Sequence, residues 1–353
     1  MIERSNYFSG IVPWFQTCSH VEIMYLMCRK IYIMLPAFLP ILLFLNGGDG
    51  YSMFCSNKYC EFKVGSPRSK LVLVAPHSGH LRPSSMPDRR QGCMVNGTCL
   101  YRHNCTGNSW ISWSWSCWVT TVNDINTNGL INAIADSYHN LTGMRPHVVV
   151  NYLDRQKVDM NRERAKATFH HPAAVLAHRE FYRFIKIAKN MIGRQGDGSG
   201  LLLDIHGQSH REGWNELGYA LTSGQLNYAK VGGQWVESLA NLSSIRSLAQ
   251  RFTANNSSQS FEDILRGPKS LGKYLADQDP SYKVVPSPQI PKPGRGGYFC
   301  CNYIVRTQGS LHGGKIDAIM IETHRQYRAS KVEYEKYAKK LAAAIHQFMK
   351  HYD

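Results

Sequence analysis

Four short stretches, far apart in the chain, each place a metal-capable or charge-handling residue at the end of an apolar strand. They are Leu71-Val72-Leu73-Val74-Ala75-Pro76-His77-Ser78-Gly79, Val158-Asp159-Met160-Asn161-Arg162, Leu201-Leu202-Leu203-Asp204-Ile205-His206-Gly207 and Ala318-Ile319-Met320-Ile321-Glu322-Thr323-His324. Aliphatic runs of this length, bounded by Gly, Pro or Ser, read as fully buried strands of a largely parallel sheet. In open sheets of that kind, ligands and catalytic groups collect outside the carboxyl ends of the strands. Two histidines, a carboxylate and an Asn-Arg pair at such ends are therefore expected to share one cleft. That is the outline of a zinc hydrolase.

Between these strands the pattern turns helical. Ile125, Leu130, Ile131, Ile134 and Ala135 keep helical spacing, with Asp124 placed to cap the helix and Gly143 to stop it. Further strands are predicted at Pro146–Val150, Tyr298–Arg306 and Asp317–Glu322, and helices at 173–192, Trp235–Phe252, Phe261–Leu275 and Lys331–Met349. Residues 51–69 read as an irregular lead-in, 80–120 as a Cys- and Trp-rich insertion tied by disulfides, and Pro286–Gly297 as a loop. Alternating strands and helices predict an α/β, three-layer fold: a mostly parallel mixed sheet flanked by helices. The expected organisation is an N-terminal segment, 1–50, and a single catalytic domain, 51–353.

The 353 residues carry 41 basic and 25 acidic side chains, a net charge of +16. That favours acidic partners or substrates. The basic residues are scattered rather than clustered with aromatics, so no nucleic-acid partner is expected.

Arg29-Lys30 precede an uncharged stretch, Ile31 to Leu45, that leads into Asn46-Gly47-Gly48. A short apolar core behind positive charge predicts a secretory signal peptide, with a signal anchor as the alternative and membrane attachment only if it stays uncleaved. Of the ten cysteines, those from Cys55 onward are even in number, which points to disulfides in a secreted chain. Sequons at Asn96, Asn104, Asn140, Asn241, Asn255 and Asn256 agree with a glycoprotein.

Neutral imidazole is the commonest zinc ligand, and two strand-end histidines, His77 and His206, are the minimum of a mononuclear site. A third ligand is needed. Asp124 meets the description of a carboxylate pointing back over the sheet edge, with Asp88 and His80 as alternatives. Glu322 is the candidate general base. Arg162 offers a planar fork for a substrate carboxylate or an oxyanion, and Asn161 adds a donor beside it. Tyr327 is expected to cover the substrate or merely pack. His210, His324 and Arg325 fall near the cleft without an assigned role.

PHSG, VDMNR, LLLDIHG and AIMIETHRQY, in this order, resemble the motifs of the N-formylglutamate amidohydrolase family, whose fold is that of the zinc metallocarboxypeptidases. The resemblance spans about residues 70–350. It implies that His77 and His206 bind zinc, that Asn161 and Arg162 hold a carboxylate, and that Glu322 is the base. It implies an amidohydrolase acting on a small acidic N-acyl amino acid or peptide. The chain departs from metallocarboxypeptidases at His80, which stands where they carry a ligating Glu. A competing reading is a catalytically silent binding protein using the same cleft.

Overall fold

A computed structural model describes residues 50–103, 117–229, 233–255 and 260–353. The signal-like segment, and the sequons at Asn104 and Asn256, lie outside them. Among the described residues no helix is long and apolar enough to cross a membrane.

Residues 51–69 do not form an irregular lead-in. They make a hairpin of β1 (Ser52–Phe54) and β2 (Cys60–Lys63), closed by the Cys55–Cys60 disulfide. The first parallel strand, β3 (Leu71–Ala75), follows where the aliphatic run predicts it. The insertion contains a small hairpin, β4 (Cys93–Val95) and β5 (Thr98–Leu100), turned by Asn96-Gly97 with both residues at positive φ. Cys99 is joined to Cys117. Helix α1 (Thr127–Thr142) begins later than expected, because Asn126 in the left-handed region occupies the N-cap position. Asp124 is therefore free of capping duty. The next elements are β6 (His147–Asn151), α2 (Arg164–Thr168), α3 (Pro172–Ile192), β7 (Gly200–Gln208) and β8 (Asn215–Gly218).

Two predicted helices are broken. Residues 235–252 divide after α4 (Ser223–Tyr228) into α5 (Gln234–Ser238) and α6 (Arg246–Asn255). The break at Ser243-Ser244 is used: Ser244 Oγ donates to the Ala318 carbonyl at 2.6 Å, while the Ser244 carbonyl accepts from Ala318 N at 3.0 Å. Residues 261–275 divide into α7 (Phe261–Leu265) and α8 (Leu271–Ala276) at Gly267-Pro268, since proline clashes with a continuing helix. After the short β9 (Val284–Val285), the predicted strand 298–306 is instead a loop and a helix, α9 (Tyr303–Gln308), capped by Asn302. The chain closes with β10 (Ile316–His324) and α10 (Lys331–Met349).

The main sheet has the order β1-β2-β6-β3-β7-β10-β8-β9. β6, β3, β7 and β10 are mutually parallel, while β2 and β8 join antiparallel. Side chains alternate between the faces, as the period of a strand requires. Leu201, Leu203, Ile319 and Ile321 enter one core with α1 and α10; Leu202, Ala318 and Met320 enter the other with α3 and α9. The three-layer α/β prediction holds. The same alternation continues past the aliphatic run and puts Asp204, His206 and Glu322 on the α3/α9 face.

Candidate metal centre

His77, Asp124 and His206 come from the end of β3, the loop before α1 and the end of β7. Their ligand atoms all lie within 4.8 Å of one another, and all three residues are buried. Both imidazoles turn Nδ1 toward one carboxylate oxygen: Asp124 Oδ2 is 2.8 Å from His206 Nδ1 and 3.3 Å from His77 Nδ1. Asp124 is held there by its own backbone N–H, which donates to the His77 carbonyl at 2.9 Å. Neither Asp88 nor His80 joins this cluster: Asp88 pairs with Lys157 at 2.7 Å, and His80 is exposed.

The opposite nitrogens are equally well fixed. His77 Nε2 meets Asp159 Oδ1 at 2.7 Å, and Asp159 Oδ2 in turn accepts from Arg155 Nε at 3.0 Å. His206 Nε2 lies 3.0 Å from Asp204 Oδ2, two residues earlier on the same face of β7. Asn302 Nδ2 bridges this pair, 2.6 Å from Asp204 Oδ2 and 3.1 Å from His206 Nε2. A carboxylate on the far nitrogen fixes each ring's tautomer and orientation, the usual support of a metal-binding histidine.

The electrostatics ask for positive charge at this point. Burial opposes ionisation of Asp124, but its bonds to His206 and His77 hold its carboxyl far below the usual range. Burial likewise disfavours the His206 imidazolium, yet the Asp204 charge and the bonds to Asp124 and Asp204 push it well above the ordinary value. Two Nδ1 atoms and one carboxylate oxygen, converging where a cation is favoured, fit a divalent metal ion with N and O ligands.

Glu322 stands beside this cluster. The register of β10 sets it opposite His206 on one side and Glu216 of β8 on the other. Burial pushes its carboxyl up to about 8; His206 opposes this, while Asp124 and Glu216 add to it. Asn161 holds the site together, with Nδ2 3.1 Å from His206 Nε2 and its Oδ1 accepting from Ile304 N at 3.0 Å. Arg162 lines the same cleft, and one of its guanidinium nitrogens donates to the Asn161 carbonyl at 2.8 Å. The cleft encloses about 1020 Å³.

Tyr327 is placed elsewhere. Its ring stacks on Tyr337 with centroids 5.4 Å apart and meets Tyr282 at 4.8 Å, so it packs over α10 rather than covering the cleft. Arg328, by contrast, is buried in the cleft floor and donates to the carbonyls of Thr323, Ile125 and Gln208. It thereby ties the ends of β7 and β10 to the Asp124 loop. Gly207 is required beneath it, because a Cβ there would run into the guanidinium.

Sequence reasoning left several of these residues without a role. Asp204 was within reach, since an acid two residues before a strand-end histidine shares its face. Arg155 and Asp159 lie in the stretch preceding Asn161-Arg162. Asn302 carries no signal of its own, because its importance comes from a loop that reads as a strand.

A mixed α/β sheet covered on both faces, with a His-Asp-His cluster at the carboxyl ends of its central parallel strands, defines a protein with a candidate metal centre. Among solved structures the chain is similar to the gene product Atu2144 from Agrobacterium tumefaciens. Identity is 13%, covering 82% of this chain and 94% of that one, with a TM-score of 0.42. It is also similar to a metallo-carboxypeptidase from Pseudomonas aeruginosa, at 12% identity over 83% of this chain and 61% of that one, with a TM-score of 0.35. No family model matches the chain and no curated protein matches it, so the N-formylglutamate amidohydrolase resemblance rests on its motifs.

Proposed function

We propose that this chain is a zinc-dependent amidohydrolase that cleaves an amide next to a substrate carboxylate. The observation that carries the reading is one row of side chains across three neighbouring strand ends: His77 and His206 turned toward Asp124, and Glu322 next to His206 with no ligand duty. A binding module has no need of a buried, unligated carboxylate at that position.

His77, Asp124 and His206 would hold the ion, and Asp159 and Asp204 would fix the two rings. Bound there, zinc supplies a Lewis acid that polarises the scissile carbonyl and acidifies water. Glu322 takes the proton from the attacking water and delivers it to the leaving nitrogen as the C–N bond breaks. Arg162, with a planar fork, receives the substrate carboxylate, and Asn161 keeps Arg162 and His206 in fixed relation.

The proposal places the chain in the secretory pathway as a glycoprotein. The Cys55–Cys60, Cys99–Cys117 and Cys300–Cys301 disulfides support an oxidising compartment. The test of the activity is hydrolysis of N-acyl amino acids and short peptides with free and amidated C-termini, by zinc-loaded and chelator-treated protein. Free-carboxylate substrates should be cleaved by the loaded protein alone. Equal cleavage after chelation, or none by the loaded protein on any member, would remove the reading.

A further inference from the structure

The cleft offers donors and positive charge on both sides of the reacting row, and only one side is used by the chemistry above. The register that sets Glu322 beside His206 also sets Glu216 beside Glu322, on the same face. At the spacing of neighbouring strands, Glu216 stands roughly 10 Å beyond His206. It is fully buried, and its two oxygens are spoken for: Oε1 accepts from His210 Nδ1 at 2.6 Å and Trp214 Nε1 at 3.2 Å, Oε2 from Phe299 N at 2.7 Å.

A buried carboxylate is costly unless it is paired and hydrogen-bonded, and the donors that satisfy Glu216 are thereby fixed in place. One of them is His210, a residue of the cleft wall. The imidazole lies against Phe299 with centroids 4.7 Å apart, and its backbone N–H donates to Gln208 Oε1 at 2.5 Å. It passes so close to Gly297 that a Cβ there would strike the ring. A surface histidine has no call for four such constraints. Arg325, exposed just past the end of β10, lines the same cleft. On the other side of the row stand Arg155 and Arg162, carried by the segment after β6. Arg155 is occupied by Asp159 and Asp124, at 3.0 and 3.8 Å, which among the described residues leaves Arg162 as the cation lining that side of the cleft.

We infer that the substrate is an amide with an anionic group on each half: one carboxylate is received by Arg162, and a second, across the scissile bond, by His210 and Arg325. This rests on the hydrolase reading for the position of the scissile bond, but the ligand class itself can be read by binding alone. A net charge of +16 favours such a dianion at long range.

The test uses the zinc-loaded full chain carrying Glu322→Gln, whose turnover is slowed enough for binding to be read. Calorimetry compares N-succinyl-L-alanine, anionic on both halves, with N-acetyl-L-alanine and N-succinyl-L-alaninamide, each anionic on one. The dianion should bind at least about tenfold more tightly than either, a difference of about 1.4 kcal/mol. Adding His210→Gln and Arg325→Gln should erase its advantage over one monoanionic probe, with metal content and melting temperature unchanged. Should the double variant misfold, Arg325→Gln alone must reduce that advantage, since its side chain is exposed. Equal binding of all three probes, or an advantage that survives in the variants, overturns the inference. Wild type that cleaves none of the probes, while the variant still prefers the dianion, removes the hydrolase reading and leaves the ligand class standing. Wild type that cleaves all three with equal kcat/KM does the reverse.

Discussion

Glu322→Gln should leave zinc binding and fold intact and lower turnover by roughly a hundredfold or more, the usual scale for losing a general base. The amide is nearly isosteric with the carboxyl, and Glu322 is not part of the cluster formed by His77, Asp124 and His206. The glutamine amide accepts no proton from water, so the fall should appear in kcat with KM little changed. Burial among Asp124 and Glu216 makes an ionised Glu322 costly in the metal-free chain. Replacing it by a neutral group should therefore leave the melting temperature equal or higher. Turnover within a few-fold of wild type would take the base role away from Glu322.

Asp159→Asn is the second large effect. Asp159 is fully buried and receives His77 Nε2, Arg155 Nε and the backbone N–H of Asn161. Arg155 and His77 keep it ionised against the cost of burial. The asparagine still reaches His77 but places no negative charge behind the ring. Zinc affinity should fall roughly 10–100-fold, as is typical when such a supporting partner is lost. Competition with a chelator of known affinity measures it, with circular dichroism as the check on fold. Unchanged affinity in a folded variant would mean that His77 does not ligate.

The legible part of this protein follows from strand physics. Aliphatic runs long enough to be buried on both faces mark β3, β7 and β10, and the residue just past each run must lie at the carboxyl edge. That pattern alone places His77, His206 and Glu322 in one cleft. Asp124 reads either as a ligand turned back over the sheet edge or as a helix cap; Asn126 holds the cap position, and the carboxylate turns to the histidines. The illegible part follows from contacts between distant segments. β8, with Asn215, Glu216 and Gly218, has no strand-like composition, and pairing with β10 on one side and β9 on the other makes it a strand. Residues 298–306 look like a strand, but Phe299 N is claimed by a buried Glu216 and Asn302 by Asp204. Tyr327 reads as covering the substrate or merely packing, and its ring stacks on Tyr337.

The central claim is a metal ion held by His77, Asp124 and His206. Elemental analysis of the purified full chain after mild dialysis tests it most directly, run beside His77→Ala and His206→Ala. The wild type should carry about one zinc per chain and both variants should lose it, as expected when one of three protein ligands is removed. Wild-type protein without stoichiometric metal, or variants that retain it in full, would mean that these three residues do not form a metal site.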